Sequence, residues 1–487
     1  QGVPADPADG RRGPDHHQGQ KAHRAVHRPY SVTLQEQIAM RTMTVILAML
    51  AAGTLCAQTP SKVWALDECI GYALEHNIEI KRQELGVSNS EIGLSESRWD
   101  YAPSLSAGSS YSISSGRVLD QTTYEFIENN VVGSSSASVS GSMQVFSGMR
   151  RHYALKKAKA SMKASLADLE SFRQDVELNV TAAYLQILCD QENLASAREM
   201  ASMLESQMER IQTMVDLGRV TEADLLQIRS QYYAALNDVV AAEGQCRLSR
   251  MELCQLLEIQ DWEDFAIEPI ETDESGGMQL FPSTDSIAVE SRPEYRSAEA
   301  GVEVARRNLQ IARASYYPTL SLSAGYGTSY SGARQKAVQN PDGTYRYEAY
   351  PFFRQYLDNG SSYLSLSLNI PIFSGMSTRN NVRRAKNASL DAQYALQSVR
   401  KQLSREYEQA LIEYQTSYRQ YETAREQLAY AEEAARMMTE KYNLGKIDFT
   451  SWNTAMTDLA KAKYLTIQKK HIVTLTKHTI TLLIHNY

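Results

Sequence analysis

The sequence predicts an α+β membrane protein made of one structural unit used twice, with strands in a bilayer and helices of tubular length outside it. Three observations predict it. The same punctuation occurs twice along 487 residues, four segments alternate strictly between apolar and small polar residues, and two long spans lack glycine and proline.

Phe146-Ser147-Gly148-Met149 recurs as Phe373-Ser374-Gly375-Met376, and Leu217-Gly218-Arg219 as Leu444-Gly445-Lys446, both 227 positions later. A third pair, Pro103-Ser104-Leu105-Ser106 and Pro318-Thr319-Leu320-Ser321, is offset by 215, so the second copy has about 12 extra residues before its Phe-Ser-Gly. Length alone suggests about three ordinary domains, but a repeat of this period argues for one body of two similar halves. The expected division is a first unit over 58–258 (helix, β-hairpin, long helical hairpin), an acidic linker over 259–283, and a second unit over 284–487.

Within each unit the strands precede the long helices. Leu105, Ala107, Ser109, Tyr111 and Ile113 alternate with Ser106, Gly108, Ser110 and Ser112; Val139, Gly141, Met143 and Val145 alternate with Ser138, Ser140, Ser142 and Gln144. In the second unit Leu320, Leu322, Ala324 and Tyr326, then Leu364, Leu366, Leu368 and Ile370, follow the same rule. A period of two puts apolar groups on one face and small hydroxyls on the other. A soluble sandwich alternates too. Here, however, segments of about ten residues end in aromatics (Tyr101, Phe146, Tyr316, Tyr317, Phe373) and carry an all-small polar face, the pattern of a membrane barrel. Four strands leave two edges that hydrocarbon does not tolerate. Closure must come from further copies of the chain, eight strands from two or 12 from three, and the pattern does not choose. Residues 114–136 and 331–362 read as polar, aromatic, solvent-facing loops.

The helices follow. Neither glycine nor proline occurs from Met149 to Leu217 or from Met376 to Leu444, so each span predicts a helix roughly 100 Å long. The returning segments carry heptads: Leu225, Tyr232, Val239, Cys246 and Leu253 with Ile228, Ala235, Ala242, Ser249 and Leu256, then Trp452, Leu459, Thr466, Val473 and Ile480. Sustained seven-residue spacing means coiled-coil packing, here as two antiparallel helical hairpins. Gly218 and Gly445 sit where a helix must stop and a left-handed backbone costs least. Thr221 with Asp224 reads as an N-cap and its partner, and Asp448 as the N-cap of the other return helix.

Ahead of the repeat, residues 1–39 are rich in Gly, Pro, His and Arg without periodicity, and read as a wrongly assigned start or non-native leader. A secretory signal follows over 40–57, with Met40-Arg41, an apolar run from Val45 to Leu55, and Ala57 before Gln58. Cys56 raises a lipoprotein alternative, against which Leu55 stands as a poor fit to the small residue such sites need. The formal net charge of −7 becomes about −9 once the leader is set aside. That acidity without a basic stripe argues against nucleic-acid binding. The remaining cysteines, Cys69, Cys189, Cys246 and Cys254, form no CxxC pair and read as buried small side chains. Residues 251–291 contain no Lys or Arg and read as a solvated acidic linker.

Chemistry is hard to find. No GxSxG, HExxH, GxGxxG or Walker-type stretch occurs. His471, His478 and His485 share a helix face, but seven residues span about 10.5 Å, too far for one ion. They fall on the far side of the Leu459/Thr466/Val473 seam and read as a solvated or inter-chain polar stripe. Neither an enzyme, a cofactor nor a metal site has a constellation behind it.

The order of signal, Leu66-Asp67-Glu68-Cys69-Ile70-Gly71-Tyr72-Ala73-Leu74-Glu75-His76-Asn77, Tyr101-Ala102-Pro103-Ser104-Leu105, Val145-Phe146-Ser147-Gly148 and Leu217-Gly218-(x)2-Thr221-(x)2-Asp224-Leu225 resembles the TolC-like outer-membrane efflux ducts, the outer membrane factors. The likeness covers roughly residues 62–487. It implies a homotrimer: a 12-stranded outer-membrane β-barrel, four strands per chain, continued by a long antiparallel α-helical coiled-coil barrel in the periplasm of a Gram-negative bacterium. It also implies a passive duct that docks through its helical tips onto a periplasmic adaptor (membrane fusion) protein and, through it, an inner-membrane transporter.

Carried onto this chain, the resemblance places the adaptor contact at Leu217, Gly218, Thr221, Leu444 and Gly445. It places a periplasmic gate at Tyr442, three before the second tip glycine, bonded to Asp224, six after the first. The chain departs at the acidic rings expected six and nine after the second glycine, where Ser451 and Thr454 stand. The expected function is the outer-membrane component of a tripartite pump exporting small molecules. The alternatives are a type I protein-secretion duct with the same fold, and a structural or adhesive surface coiled coil.

Overall fold

A computed structural model of the chain describes residues 63–119, 126–270, 277–282 and 289–485. The leader, the signal and Cys56 lie outside the described residues.

The chain opens with a two-residue strand, β1 (Val63–Trp64), and two helices, α1 (Leu66–His76) and α2 (Ile78–Trp99). A β-hairpin follows, β2 (Ser104–Leu119) and β3 (Phe126–Ser147), then the helical hairpin α3 (Arg150–Asp216) and α4 (Glu222–Leu256). After the short strand β4 (Ala266–Ile267) the order repeats: α5 (Pro293–Ala314), β5 (Thr319–Ser331), an insertion of β6 (Gln335–Gln339), β7 (Tyr345–Ala349) and α6 (Phe352–Asp358), then β8 (Ser361–Asn369), α7 (Ser377–Asn443) and α8 (Phe449–His485). Both outgoing helices have 67 residues, about 100 Å at 1.5 Å per residue. Each begins after a Gly-Met pair held in the left-handed region, Gly148 and Met149 at φ 60° and 69°, Gly375 and Met376 at 58° and 66°.

Four strands form one antiparallel sheet in the order β2-β3-β5-β8. Its register lines up whole rows. Ser104, Ser142, Ser323 and Ser365 face one another across the sheet, and one residue along so do Leu105, Gly141, Ala324 and Leu364. The hydroxyl row is itself bonded: Ser104 with Ser142 at 3.0 Å, Ser106 with Ser140 at 3.2 Å, Ser110 with Ser136 at 2.8 Å. Leu105, Tyr111, Ile113, Leu364, Leu366 and Leu368 stay exposed. One face is therefore apolar and uncovered, the other a serine ladder, and β2 and β8 are unpaired edges.

Strand lengths differ from expectation in the first unit. The strands run 16 and 22 residues, so most of 114–136 is ladder and not loop: pairing continues through Ser112–Ser134 and Ser115–Val131, where a serine-rich sequence loses the apolar alternation but keeps backbone partners. The second loop is also built. β6 and β7 form a hairpin around Asn340-Pro341-Asp342-Gly343, with Gly343 at φ 85°, and Gln355 of α6 is buried, donating to the carbonyls of Ser331 and Tyr350.

The acidic linker is not simply solvated. Trp64 of β1 stacks on Phe265, whose neighbour Ile267 is buried in β4, and the Tyr184 hydroxyl of α3 donates to the carbonyls of Trp64 and Glu268 at 3.0 and 2.6 Å. Further on, Phe281 packs against Tyr414, and Tyr407 donates to the Pro282 carbonyl at 2.8 Å, both on α7. Apolar residues spaced among the carboxylates clasp both long helices, and Asp261, Glu263, Asp264 and Glu268 stay exposed. Cys69, Cys189, Cys246 and Cys254 are buried and form no disulfide with one another, as expected.

The histidine stripe is corrected too. His471 is buried, its Nε2 3.2 Å from Glu192 on α3, and His478 is half-buried, 3.9 Å from Glu177. His471 and His478 therefore face the neighbouring helical hairpin of the same chain. Among the described residues no group of His, Cys, Asp and Glu is arranged to hold a metal ion.

Candidate functional site at the helical tips

Both hairpins turn through the same backbone device. At the first, Gly218 takes φ 71°, its amide donates to Val215, and the Arg219 amide reaches Met214 at 2.9 Å. At the second, Gly445 takes φ 65°, donating to Tyr442, and Lys446 reaches Lys441 at 2.9 Å. These paired bonds are the Schellman ending, which satisfies carbonyls that a terminating helix would orphan. Leu217 and Leu444 precede the glycines with side chains 65% and 69% exposed, so each tip presents one bare leucine.

Beyond the first turn Thr221 closes a capping box. Its hydroxyl accepts from the Asp224 amide at 3.3 Å, and Asp224 Oδ2 accepts from the Thr221 amide at 3.2 Å and from its hydroxyl at 2.6 Å. Beyond the second, Asp448 caps α8 by accepting the Ser451 amide at 3.3 Å. The Ser451 hydroxyl and amide hold the Asp448 carboxyl below the usual carboxylate range. Ser451 and Thr454 are exposed, and the Thr454 hydroxyl donates to the Thr450 carbonyl of its own helix at 2.9 Å. Both positions present neutral hydroxyls.

Behind the turns the two hairpins share one core. Ile211 of α3, Ile228 of α4, Ala435 of α7, and Phe449, Trp452 and Met456 of α8 are buried in it. Trp452 is 1% exposed, and its indole N–H donates to the Thr439 hydroxyl at 3.1 Å. Tyr442 stacks on Trp452, ring centres 5.4 Å apart, edge-on to Phe449. Burial pushes the Tyr442 phenol up, and the nearby Asp224 carboxylate adds to that shift. Asp224 and Tyr442 thus lie within electrostatic reach across the two tips, while the Asp224 carboxylate hydrogen-bonds to Thr221.

Sequence reasoning missed the groups that bind the hairpins to each other. Arg210 of α3 donates to the Asn443 side chain and carbonyl on α7. Lys463 and Lys470 of α8 reach Glu199 and Glu192 of α3 at 2.7 and 2.9 Å. The signal was available: two lysines and two glutamates, each pair seven apart, run in opposite directions on antiparallel helices. The His471 ring, with Lys470, holds the Glu192 carboxyl below its ordinary range against the opposing effect of burial.

The model of the outer membrane efflux protein family matches residues 69–257 and 286–483. The chain belongs to the outer membrane efflux protein family. Each matched segment contains one copy of the repeated Phe-Ser-Gly and Leu-Gly marks. Among relatives of this family, the outer membrane protein TolC of Vibrio cholerae is 24% identical over 275 residues, 52% of this chain and 59% of that protein. The alkaline protease secretion protein AprF of Pseudomonas aeruginosa is 25% identical over 267 residues, 52% of this chain and 50% of that protein. These alignments span about half the length of those relatives. The crystal structure of the Campylobacter jejuni CmeC outer membrane channel superposes with a TM-score of 0.71 at 17% identity, covering 86% of this chain and 85% of that one.

Proposed function

We propose that the chain is the outer-membrane duct of a tripartite efflux pump, a passive conduit for small molecules. Three copies close a 12-stranded barrel and a 12-helix periplasmic tunnel. The observation that carries this reading is the sheet itself, apolar on one face, serine-lined on the other and open at both edges β2 and β8. Such a sheet is tolerated in hydrocarbon only when further copies complete the ladder. The repeat supports ring closure. A Cβ on Gly148 would lie 2.6 Å from the Tyr317 Cβ and 2.8 Å from the Ala314 carbonyl, so the turn before β5 packs on it. Its counterpart Gly375 has no such neighbour within 4 Å among the described residues. In a ring, the matching turn at residues 99–103 of the next copy seats there.

In this reading Leu217, Gly218 and Thr221, with Leu444 and Gly445, dock a periplasmic adaptor that links the duct to an inner-membrane transporter. Tyr442 and Asp224 latch the mouth. Ser451 and Thr454 leave it without carboxylate rings and so without strong cation preference. The units at 58–258 and 284–487 are the repeated staves, joined by 259–283. The likeness to a protease secretion protein favours a second reading, a type I protein-secretion duct of the same build.

Single-channel conductance of the detergent-purified trimer in a planar bilayer tests the reading. Small discrete steps are expected, and replacing Asp224 with Ala together with Tyr442 with Phe should raise them several-fold. Unchanged steps in that double variant would remove the latch and leave the duct. A silent bilayer with insertion independently shown would remove the duct.

A further inference from the structure

Four helices per chain meet the sheet, and every one places arginine at that junction. α2 ends with Arg98 in its last turn, α5 with Arg313, α3 begins with Arg150 and Arg151, and α7 has Arg379 in its first turn. At the start of α3 and α7 this breaks a local rule. A helix N-terminus is the positive end of the peptide dipole and favours carboxylates, yet neither first turn contains one. The departure continues inward. From Met149 to Ala167 the chain has Lys156, Lys157, Lys159 and Lys163 and no Asp or Glu, and from Ser374 to Leu390 it has Arg383, Arg384 and Lys386 and again none. Both halves of the duplication keep the bias, in a chain whose net charge is −7.

Only part of this charge is neutralised locally. Arg151 pairs with Asp100 at 3.1 Å and lies over the Tyr101 ring. Among the described residues no carboxylate is within ion-pair distance of Arg150, Lys156, Lys157, Arg383 or Arg384, and all but the half-buried Lys157 are exposed. Lys156 and Arg383 lie six residues beyond Arg150 and Ser377, about 9 Å along the helix. The polar layer of a bilayer is roughly 5–7 Å deep on each side, within reach of flexible basic side chains. The ring residues Trp99, Tyr101, Tyr316, Tyr317 and Phe373, all exposed, mark the same level from the sheet side.

We propose that these residues form a basic collar that binds the phosphate headgroups of anionic phospholipids in the leaflet facing the helices. The collar fixes the depth of the sheet in the membrane and gathers a ring of anionic lipid around the duct. A cluster of cations beside a membrane surface attracts acidic headgroups in just this way, and the aromatic residues above it give the anchor a hydrophobic partner. The inference rests on the membrane placement of the sheet proposed above.

Trp99 offers a built-in probe. It is one of four tryptophans and 73% exposed at the junction. Trp64 and Trp262 lie beyond the far end of α2, a helix of about 33 Å, and Trp452 is at the tips. The full-length trimer is reconstituted into phosphatidylcholine vesicles carrying, at equal mole fraction, either brominated phosphatidylglycerol or brominated phosphatidylcholine. Quenching of Trp99 should be stronger with the anionic lipid by roughly twofold or more. The difference should vanish in a variant with Arg150, Lys156, Lys157, Arg383 and Arg384 all changed to Gln, checked for retained trimer and helix content. It should persist in a K159Q/K163Q variant, whose changes lie further from the membrane.

Equal quenching by the two lipids in the unmodified protein overturns the collar while leaving the sheet in the bilayer. No quenching by either overturns the membrane placement itself. A five-residue variant that keeps its preference for the anionic lipid but changes the anion-to-cation permeability of the pore also overturns the proposal, because the charges would then serve solute inside the duct.

Discussion

At the first tip Thr221 and Asp224 close a capping box on the return helix, whereas at the second Asp448 caps alone and Phe449 and Trp452 lie beneath it in the core. The backbone turns are copies, with the same pair of bonds and the same left-handed glycine. Duplication has preserved what the chain path requires and released the side chains around it. The first tip is held by its own polar residues. The second is held by aromatic burial that also reaches α3 and α4 of the first hairpin. Loosening the second should therefore loosen both, and loosening the first should stay local.

The sharpest way to break that asymmetry is Trp452→Ala. It removes a side chain 1% exposed and an indole hydrogen bond to Thr439, a loss of about 3–5 kcal/mol for an aromatic in a packed core. Hydrogen exchange should rise in peptides from both hairpins, around 201–235 as well as 435–459. A rise confined to the second hairpin would contradict the shared core. A smaller effect is expected from Thr221→Ala, which removes the hydroxyl that accepts from the Asp224 amide and donates to its carboxylate but leaves the Thr221 amide bonded to Asp224 Oδ2, for about 1 kcal/mol. Faster exchange should appear at the start of α4 and not at the start of α8. The smallest effect is electrostatic. Hydrogen bonds to Ser451 hold Asp448 below its ordinary value. A carboxyl whose folded value is depressed stabilises the fold fully above its unfolded value, about 3.9, and loses that contribution as pH falls through the folded one. Acidification below about pH 4 should loosen the start of α8, in exchange data corrected for intrinsic pH dependence, and Asp448→Asn should abolish the response.

Much of this was legible in the sequence for physical reasons. A stretch without glycine or proline has nothing to stop a helix, so both long helices end within a residue of where the glycines said they must. The capping roles of Thr221, Asp224 and Asp448 follow from short polar side chains placed just after a turn. Strand length was less legible, because alternation reports burial of one face and falls silent where serine occupies both. From Ser114 to Leu119 and from Phe126 to Ser136 the backbone ladder continues, with a register shift between Gly116 and Val118. The β6–β7 hairpin was missed although Pro341-Asp342-Gly343 between two extended segments carries a turn signal. The acidic run hid Phe265, Ile267 and Phe281, since charge density says where carboxylates point and nothing about the apolar residues between them. The links between hairpins, Arg210 to Asn443 and Lys470 to Glu192, join residues more than 200 positions apart, so the matched seven-residue spacing of the lysines and glutamates was their only trace in the sequence.

The order β2-β3-β5-β8 has a consequence for biogenesis. A lone chain entering hydrocarbon would carry two rows of unsatisfied amide and carbonyl groups, each costing several kcal/mol. On the proposed closure by further copies, insertion and association proceed as one event, and the rate of reaching the closed state should rise steeply with the local concentration of chains. Thermal midpoints should likewise shift with dilution. Scarcity would be felt as an assembly defect before any individual protomer had become unstable.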